Sequence, residues 1–159
     1  MRAAGCYQAE QVLYTGERFD KATKYQTDTK NRLETTPLKR VDNFLDELSS
    51  DTKLVCFELV EGAMPLTEFT HPEKALYVFG PEDGSLNQAI IDSADHIVYV
   101  PTVGCMNLAA SVNVVLYDRQ SKQQAVNCAE QRDAQIRKNR DQNNRLKIRS
   151  EAGGLTKSV

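Results

Sequence analysis

Short apolar runs, rich in β-branched and aromatic side chains, alternate along this chain with stretches whose apolar residues recur every three or four positions. The first pattern predicts strands and the second predicts helices. Val12-Leu13-Tyr14 is a brief strand, and residues 54–60, 75–79 and 96–100 are fuller ones. The apolarity of these runs is continuous rather than alternating, which predicts burial on both faces, as in a parallel sheet covered by helices. The runs close on turn signals such as Gly80-Pro81 and Pro101, so loops are expected at the carboxyl ends of the strands. Residues 37–49 read as a helix with Leu38, Val41, Leu45 and Leu48 on one stripe, and residues 85–94 as a shorter one that buries Leu86, Ala89, Ile90 and Ile91. The longest helical pattern starts near Met106 and carries Leu108, Val112, Val115 and Leu116. Past Asp118 it thins to Ala125, Cys128, Ala129 and Ile136, and is expected to run on and then fray towards Gly153-Gly154. Residues 23–30 are polar and read as a loop or short helix. Strands alternating with helices place the chain in the α/β class.

At 159 residues the chain is long enough to bury a core without disulfide staples, and one compact domain is the default. No apolar run approaches the roughly 18–20 residues of a membrane-spanning helix. The four cysteines, Cys6, Cys56, Cys105 and Cys128, are widely spaced and make no CxxC pair, and there are only two histidines. A metal site is therefore not expected, and reduced thiols in a cytoplasmic protein fit best. The formal net charge of −2 hides an asymmetry. Residues 121–159 hold nine Lys and Arg against four Asp and Glu, a net +5, which leaves 11 bases and 18 acids, a net −7, in the first 120. A basic tail on an acidic body fits a polyanionic partner, and equally a solvated helix or disordered end. The expected division is a body over 1–120 and a basic helical or disordered tail over 121–159.

Neither the dinucleotide fingerprint, nor the phosphate-binding loop, nor a Gly-x-Ser-x-Gly elbow is present. His71, in Thr-His-Pro, and His96, ahead of an apolar strand, read as structural rather than catalytic. Two segments stand out: Leu76-Tyr77-Val78-Phe79-Gly80-Pro81-Glu82-Asp83-Gly84-Ser85-Leu86, and Val98-Tyr99-Val100-Pro101-Thr102-Val103-Gly104-Cys105-Met106-Asn107-Leu108, which runs on to Tyr117-Asp118. Together they resemble the second and third motifs of the SpoU/TrmH family of knotted RNA ribose methyltransferases. Arg2-Ala3-Ala4-Gly5 followed by Val12-Leu13-Tyr14 is similar to the end of that family's first motif. On this reading the chain opens on the motif's arginine and lacks the strand and asparagine before it. Cys105 stands where the family usually has serine, and the loop between Pro101 and Cys105 is shorter than in many relatives.

The resemblance implies a parallel sheet flanked by helices with a C-terminal deep trefoil knot, and a homodimer paired through helices of the knot region. It implies S-adenosyl-L-methionine as cofactor, contacted by Leu59, Gly80, Val100, Cys105 and Met106, and methyl transfer to a ribose 2′-hydroxyl of RNA, tRNA rather than rRNA. Arg2 is then the leading catalytic candidate, through phosphate contact or polarisation of the hydroxyl, with Glu82 and Asn107 supporting the geometry. The residues themselves add physical sense to this. Gly80 lets backbone approach a ligand at a strand end, Pro81 ends the strand, and Asn107 suits a helix cap or a loop anchor. Taken alone, Gly80-Pro81 is only a turn. In the tail, Arg132, Arg137, Lys138, Arg140 and Arg145 would clamp an RNA backbone, with no aromatic residue nearby for base stacking. A catalytically silent RNA-binding module of the same fold, and methylation of a base rather than a ribose, remain as alternatives.

Overall fold

The computed structural model describes residues 1–17, 36–81, 83–123, 129–140, 143–144, 146 and 148. Glu82, Arg145 and the polar stretch 23–30 lie outside the described residues. The chain forms two compact units, Met1–Gln123 and Gln124–Val159.

The first unit is built around strand β3, Lys53–Phe57. Alternate side chains of a strand point to opposite faces, and β3 has apolar residues at both parities. Val55 and Phe57 join Leu66, Phe69, Val98 and Val115 on one face, while Leu54 and Cys56 join Val78 on the other. Leu54, Val55 and Cys56 are wholly inaccessible to solvent. The continuous apolar run therefore means what it predicted, a central strand covered on both sides. Its neighbours are β5, Ala75–Phe79, and β6, His96–Tyr99, both parallel to it, and β4, Met64–Pro65, adds a short edge beyond β6. The order is β4-β6-β3-β5. A separate parallel pair joins β1, Val12–Tyr14, to β2, Leu38–Arg40. The two-residue β4 escapes the apolar-run criterion because it holds a proline, which an edge strand tolerates.

Helices cover the sheet as an α/β arrangement requires. Helix α2, Gln88–Ser93, is capped by Asn87, whose Oδ1 accepts from the Ile90 N–H at 2.9 Å. Leu86, Ile90 and Ile91 pack on the Leu54 face, whereas Ala89 stays exposed. Helix α3, Leu108–Gln123, lies on the opposite face and inserts the fully buried Val115. Val112 and Leu116 are half-buried on the same helix, and Leu108 is exposed. The short helix α1, Arg2–Cys6, buries Ala4 and Gly5 and packs against α3.

The helix expected over 37–49 is not formed. Leu38 lies in β2, Val41 is buried just after it, and Phe44–Glu47 makes one 3₁₀ turn. The physical reason is Asp42-Asn43: Asn43 is extended and spends its side chain on the Leu45 N–H at 3.1 Å, which starts a new turn there. The stripe still finds apolar surroundings, since Leu45 and Leu48 pack beside Phe44 on the second core cluster. Spacing identified the buried residues but not the backbone that buries them.

The second unit contains helix α4, Ala129–Asn139. Residues 131–139 are all exposed, Ile136 included, and seven of the nine are polar or charged. The long helix is described as far as Gln123; residues 124–128, onto which it is expected to run, and the Gly153-Gly154 end lie outside the described residues.

Candidate cofactor cleft

Three parallel strands end side by side, and the loops that follow them make a cleft at that edge, where open α/β sheets characteristically take ligands. Phe57, Glu58 and Leu59 come from the end of β3, Phe79, Gly80, Pro81 and Gly84 from the end of β5, and Val98, Tyr99, Val100, Thr102, Gly104, Cys105 and Met106 from the end of β6. Leu108 and Ser111 close it from the first turn of α3. Phe57 and Phe79 stack with centroids 4.9 Å apart and form an aromatic floor. All five residues expected to contact a cofactor, Leu59, Gly80, Val100, Cys105 and Met106, stand on this one wall. They come from segments far apart in sequence, and the parallel register of β5, β3 and β6 is what brings them together.

The supporting residues are placed differently. Asn107 caps α3, its Oδ1 accepting from the Ala110 N–H at 2.8 Å and its carbonyl from Ser111 Oγ at 3.1 Å. Arg2 is exposed at the start of α1 and is not on the cleft wall; it connects to the site through the packing of α1 on α3. In the second unit Arg132, Arg137 and Lys138 are exposed and Arg140 is half-buried. His71, expected to be structural, is buried in a polar chain: Tyr77 Oη lies 2.6 Å from its Nδ1 and Asp118 Oδ2 lies 2.9 Å from its Nε2.

Glu58 is the feature that sequence reading passed over, being one acid inside an apolar run. Its Oε1 accepts from the Leu59 N–H at 3.0 Å, and its Oε2 accepts from the Leu86 N–H at 2.9 Å across the cleft mouth. A Cβ built on Gly80 would stand 2.8 Å from that Oε2, closer than side chains pack. The missing side chain at Gly80 therefore makes room for the Glu58 carboxylate. This differs from the expected reason, a ligand approaching bare backbone. The sequence signal was the charge itself, at a strand end where burial would predict another Val or Leu.

The lining suits a nucleoside-bearing cofactor. Apolar and aromatic walls take a flat base, and Gly80, Gly84 and Gly104 leave backbone donors and acceptors accessible. The cleft volume is about 160 Å³, below the roughly 300 Å³ of enclosed small-molecule sites, so a ligand of that size extends beyond its mouth. Around it, burial pushes the Cys56 thiol up to about 11, which leaves that sulfur unreactive beneath the floor, while Cys105 is an exposed free thiol on the wall. Among the described residues no group of three or more His, Cys, Asp or Glu could hold a metal ion, and no helix is long and apolar enough to cross a membrane.

The fold is shared with solved RNA-modifying enzymes. The Aquifex (A. aeolicus) TrmH/SpoU tRNA modifying enzyme is similar with a TM-score of 0.61 and 17% identity, covering 86% of this chain and 77% of its own. The SpoU methyltransferase AviRb from Streptomyces viridochromogenes, solved in complex with AdoMet, is similar with a TM-score of 0.64 and 20% identity over 76% of this chain and 50% of its own. A structure described as giving insight into 2-OH methylation of C/U34 on tRNA reaches a TM-score of 0.62 at 20% identity, over 76% of this chain and 78% of its own. The chain thus spans half the length of one of these structures and about three quarters of the other two. No curated protein matches it in sequence. A family model does, over residues 1–117, a span that holds α1, both sheets, the cleft and most of α3; the chain belongs to the SpoU rRNA Methylase family.

Proposed function

We propose that this protein methylates a ribose 2′-hydroxyl of RNA, with S-adenosyl-L-methionine as donor. The observation that carries the reading is the convergence of Leu59, Gly80, Val100, Cys105 and Met106 on one cleft at the carboxyl edge of the sheet. S-adenosyl-L-methionine, when bound, supplies a methyl group on a sulfonium sulfur. The chain's own residues orient the partners, and orientation is where most of the acceleration of such a displacement comes from. Gly80 and the 100–106 loop offer backbone hydrogen-bonding groups to the base and ribose, over the Phe57–Phe79 floor. Arg2 holds the target phosphate or polarises the attacking hydroxyl, since a guanidinium stays charged and pairs with phosphate in a bidentate way. Asn107 sets the start of α3 against the 101–106 loop through its cap, and Glu82, outside the described residues, is assigned a supporting role. Cys105 in place of serine removes a hydroxyl donor from the wall.

Within this reading the substrate is tRNA: two of the similar structures carry tRNA in their descriptions, and this chain spans those two most fully. The tail supplies salt-dependent phosphate contacts through Arg132, Arg137, Lys138, Arg140 and Arg145, because an 11-residue helix whose described side chains are exposed has little stability of its own and gains by binding a polyanion. The 101–108 segment feeds α3 through the deep trefoil knot. Val114 and Tyr117, both exposed on α3, form part of a homodimer surface. The protein works in the cytoplasm.

The test is incorporation of labelled methyl from S-adenosyl-L-methionine into total cellular RNA, followed by mapping. Label in nuclease-resistant dinucleotides within tRNA supports the reading; label on bases, or in rRNA, corrects it. One observation favours the catalytically silent alternative, namely the small cleft with a carboxylate already seated in it. No label, and no heat on titrating the cofactor into folded protein, would establish that alternative. Arg2→Ala should lower methyl transfer about 100-fold or more while cofactor binding is retained. Removing residues 124–159 should weaken RNA binding and flatten its salt dependence, by roughly one unit of slope for each phosphate that the tail neutralises.

A further inference from the structure

We infer that Glu58 is the specificity residue of the cleft, reading the vicinal hydroxyls of a bound nucleoside's ribose. The inference rests on the cofactor reading of the cleft and goes beyond it, because Glu58 is no part of the motifs that pointed there. Among the described residues lining the cleft, Glu58 carries the only charged side chain. Its carboxylate is fixed before any ligand arrives, with one oxygen on the Leu59 N–H and the other on the Leu86 N–H, so it ties the end of β3 to the far side of the β5 loop. The turn is built around it, since Gly80 leaves out the side chain that would collide with Oε2.

A carboxylate only accepts hydrogen bonds, and each oxygen has lone-pair capacity left after taking one backbone N–H. Thr102 Oγ1 donates to the Gly104 carbonyl and Ser111 Oγ to the Asn107 carbonyl; these and the Tyr99 hydroxyl are neutral acceptors, weaker than a carboxylate. A ligand with hydroxyl donors to place therefore meets in Glu58 the one charged acceptor among the described lining residues, beside the apolar Phe57, Leu59, Phe79, Val100 and Met106. Two acceptors side by side beside an apolar slot match a nucleoside, whose flat base enters the slot while its ribose presents two adjacent hydroxyls. Sites that hydrogen-bond a hydroxyl discriminate strongly against the analogue lacking it, because the acceptor is left without its partner.

The test is calorimetric titration of the full chain with S-adenosylhomocysteine and its 2′-deoxy and 3′-deoxy analogues, repeated on Glu58→Gln with the thermal midpoint of each sample recorded. The wild type should bind the ribose form at least about tenfold more tightly than either deoxy form. Glu58→Gln should weaken the ribose form about tenfold and bring the ribose-to-deoxy ratio close to one. No binding of S-adenosylhomocysteine or S-adenosyl-L-methionine by folded wild type would overturn the cofactor reading together with this inference. Tight binding with no deoxy penalty would overturn this inference alone. Equal weakening of all three ligands in the variant would mean that Glu58 only braces the loop, and tighter binding would mean that it plugs the cleft; either overturns the assignment. If Glu58→Gln fails to fold, the wild-type deoxy series still decides.

Discussion

The two ends of helix α3 are held in opposite ways. At its C-terminal end Asp118, Arg119 and Lys122 are tied to the segment between β4 and β5 and to Tyr77 of β5. Arg119 donates to the carbonyls of Pro72 and Glu73 and to Tyr77 Oη, each at 2.7 Å. Lys122 donates to the carbonyls of Leu66 and Phe69 at 2.6 and 3.0 Å and pairs with Asp118 at 2.8 Å. The chain of bonds has one self-consistent proton order: Arg119 donates to Tyr77, Tyr77 donates to His71 Nδ1, and His71 Nε2–H donates to Asp118. At the N-terminal end the helix start is capped by Asn107, and Leu108 and Ser111 line a cleft. Stability is concentrated where no ligand goes, so the end that meets the ligand can be left open.

Breaking the closed end should produce the largest loss of stability. Asp118→Ala removes the acceptor shared by the buried His71 and by Lys122, and should cost about 2–3 kcal/mol of unfolding free energy by denaturant titration. A loss below half of that would show that the network is not what fastens α3. At the open end Gly80→Ala should act on binding more than on stability. The new Cβ pushes the Glu58 carboxylate aside, and cofactor affinity should fall about tenfold by calorimetry with little change in thermal midpoint. Asn107→Ala should lower stability by about 1 kcal/mol, the usual worth of a cap. A methyl-transfer rate falling well beyond that would give the side chain a second task in the site.

The smallest effect is a dependence on pH. Burial holds His71 below the ordinary imidazole value, outweighing the pull of Asp118, with Arg119 and Lys122 adding a little in the same direction as burial. The unfolded chain therefore binds a proton that the folded chain refuses, so stability is full above about pH 6.5 and declines as pH falls below it. The slope is at most about 1.4 kcal/mol per pH unit, and His71→Gln should flatten it in melts between pH 7.5 and 5.5. Asp51 and Asp95, held low mainly by Lys74 and Lys53, act in the same direction at lower pH and lose their effect only as pH falls through the carboxylate region. An unchanged slope in the His71 variant would place the titrating group elsewhere.

Sequence by itself determined the α/β class and the three long strands, and the family resemblance of its motifs named five of the residues that line the cleft. Continuous apolarity in short β-branched runs calls for burial on two faces, and Gly80-Pro81 and Pro101 mark strand ends. It also placed α2 and α3, where apolar residues at helical spacing do lie on helices. It could not decide the backbone of residues 37–49, where a stripe at helical spacing serves a strand and a 3₁₀ turn equally well once Asn43 caps a new turn. Nor could it pair His71 with Asp118, 47 residues away, or seat Glu58 against Gly80. Those contacts depend on which strands lie side by side and in what register, and register is settled by the sum of packing over the whole sheet, a quantity no local window of the chain contains.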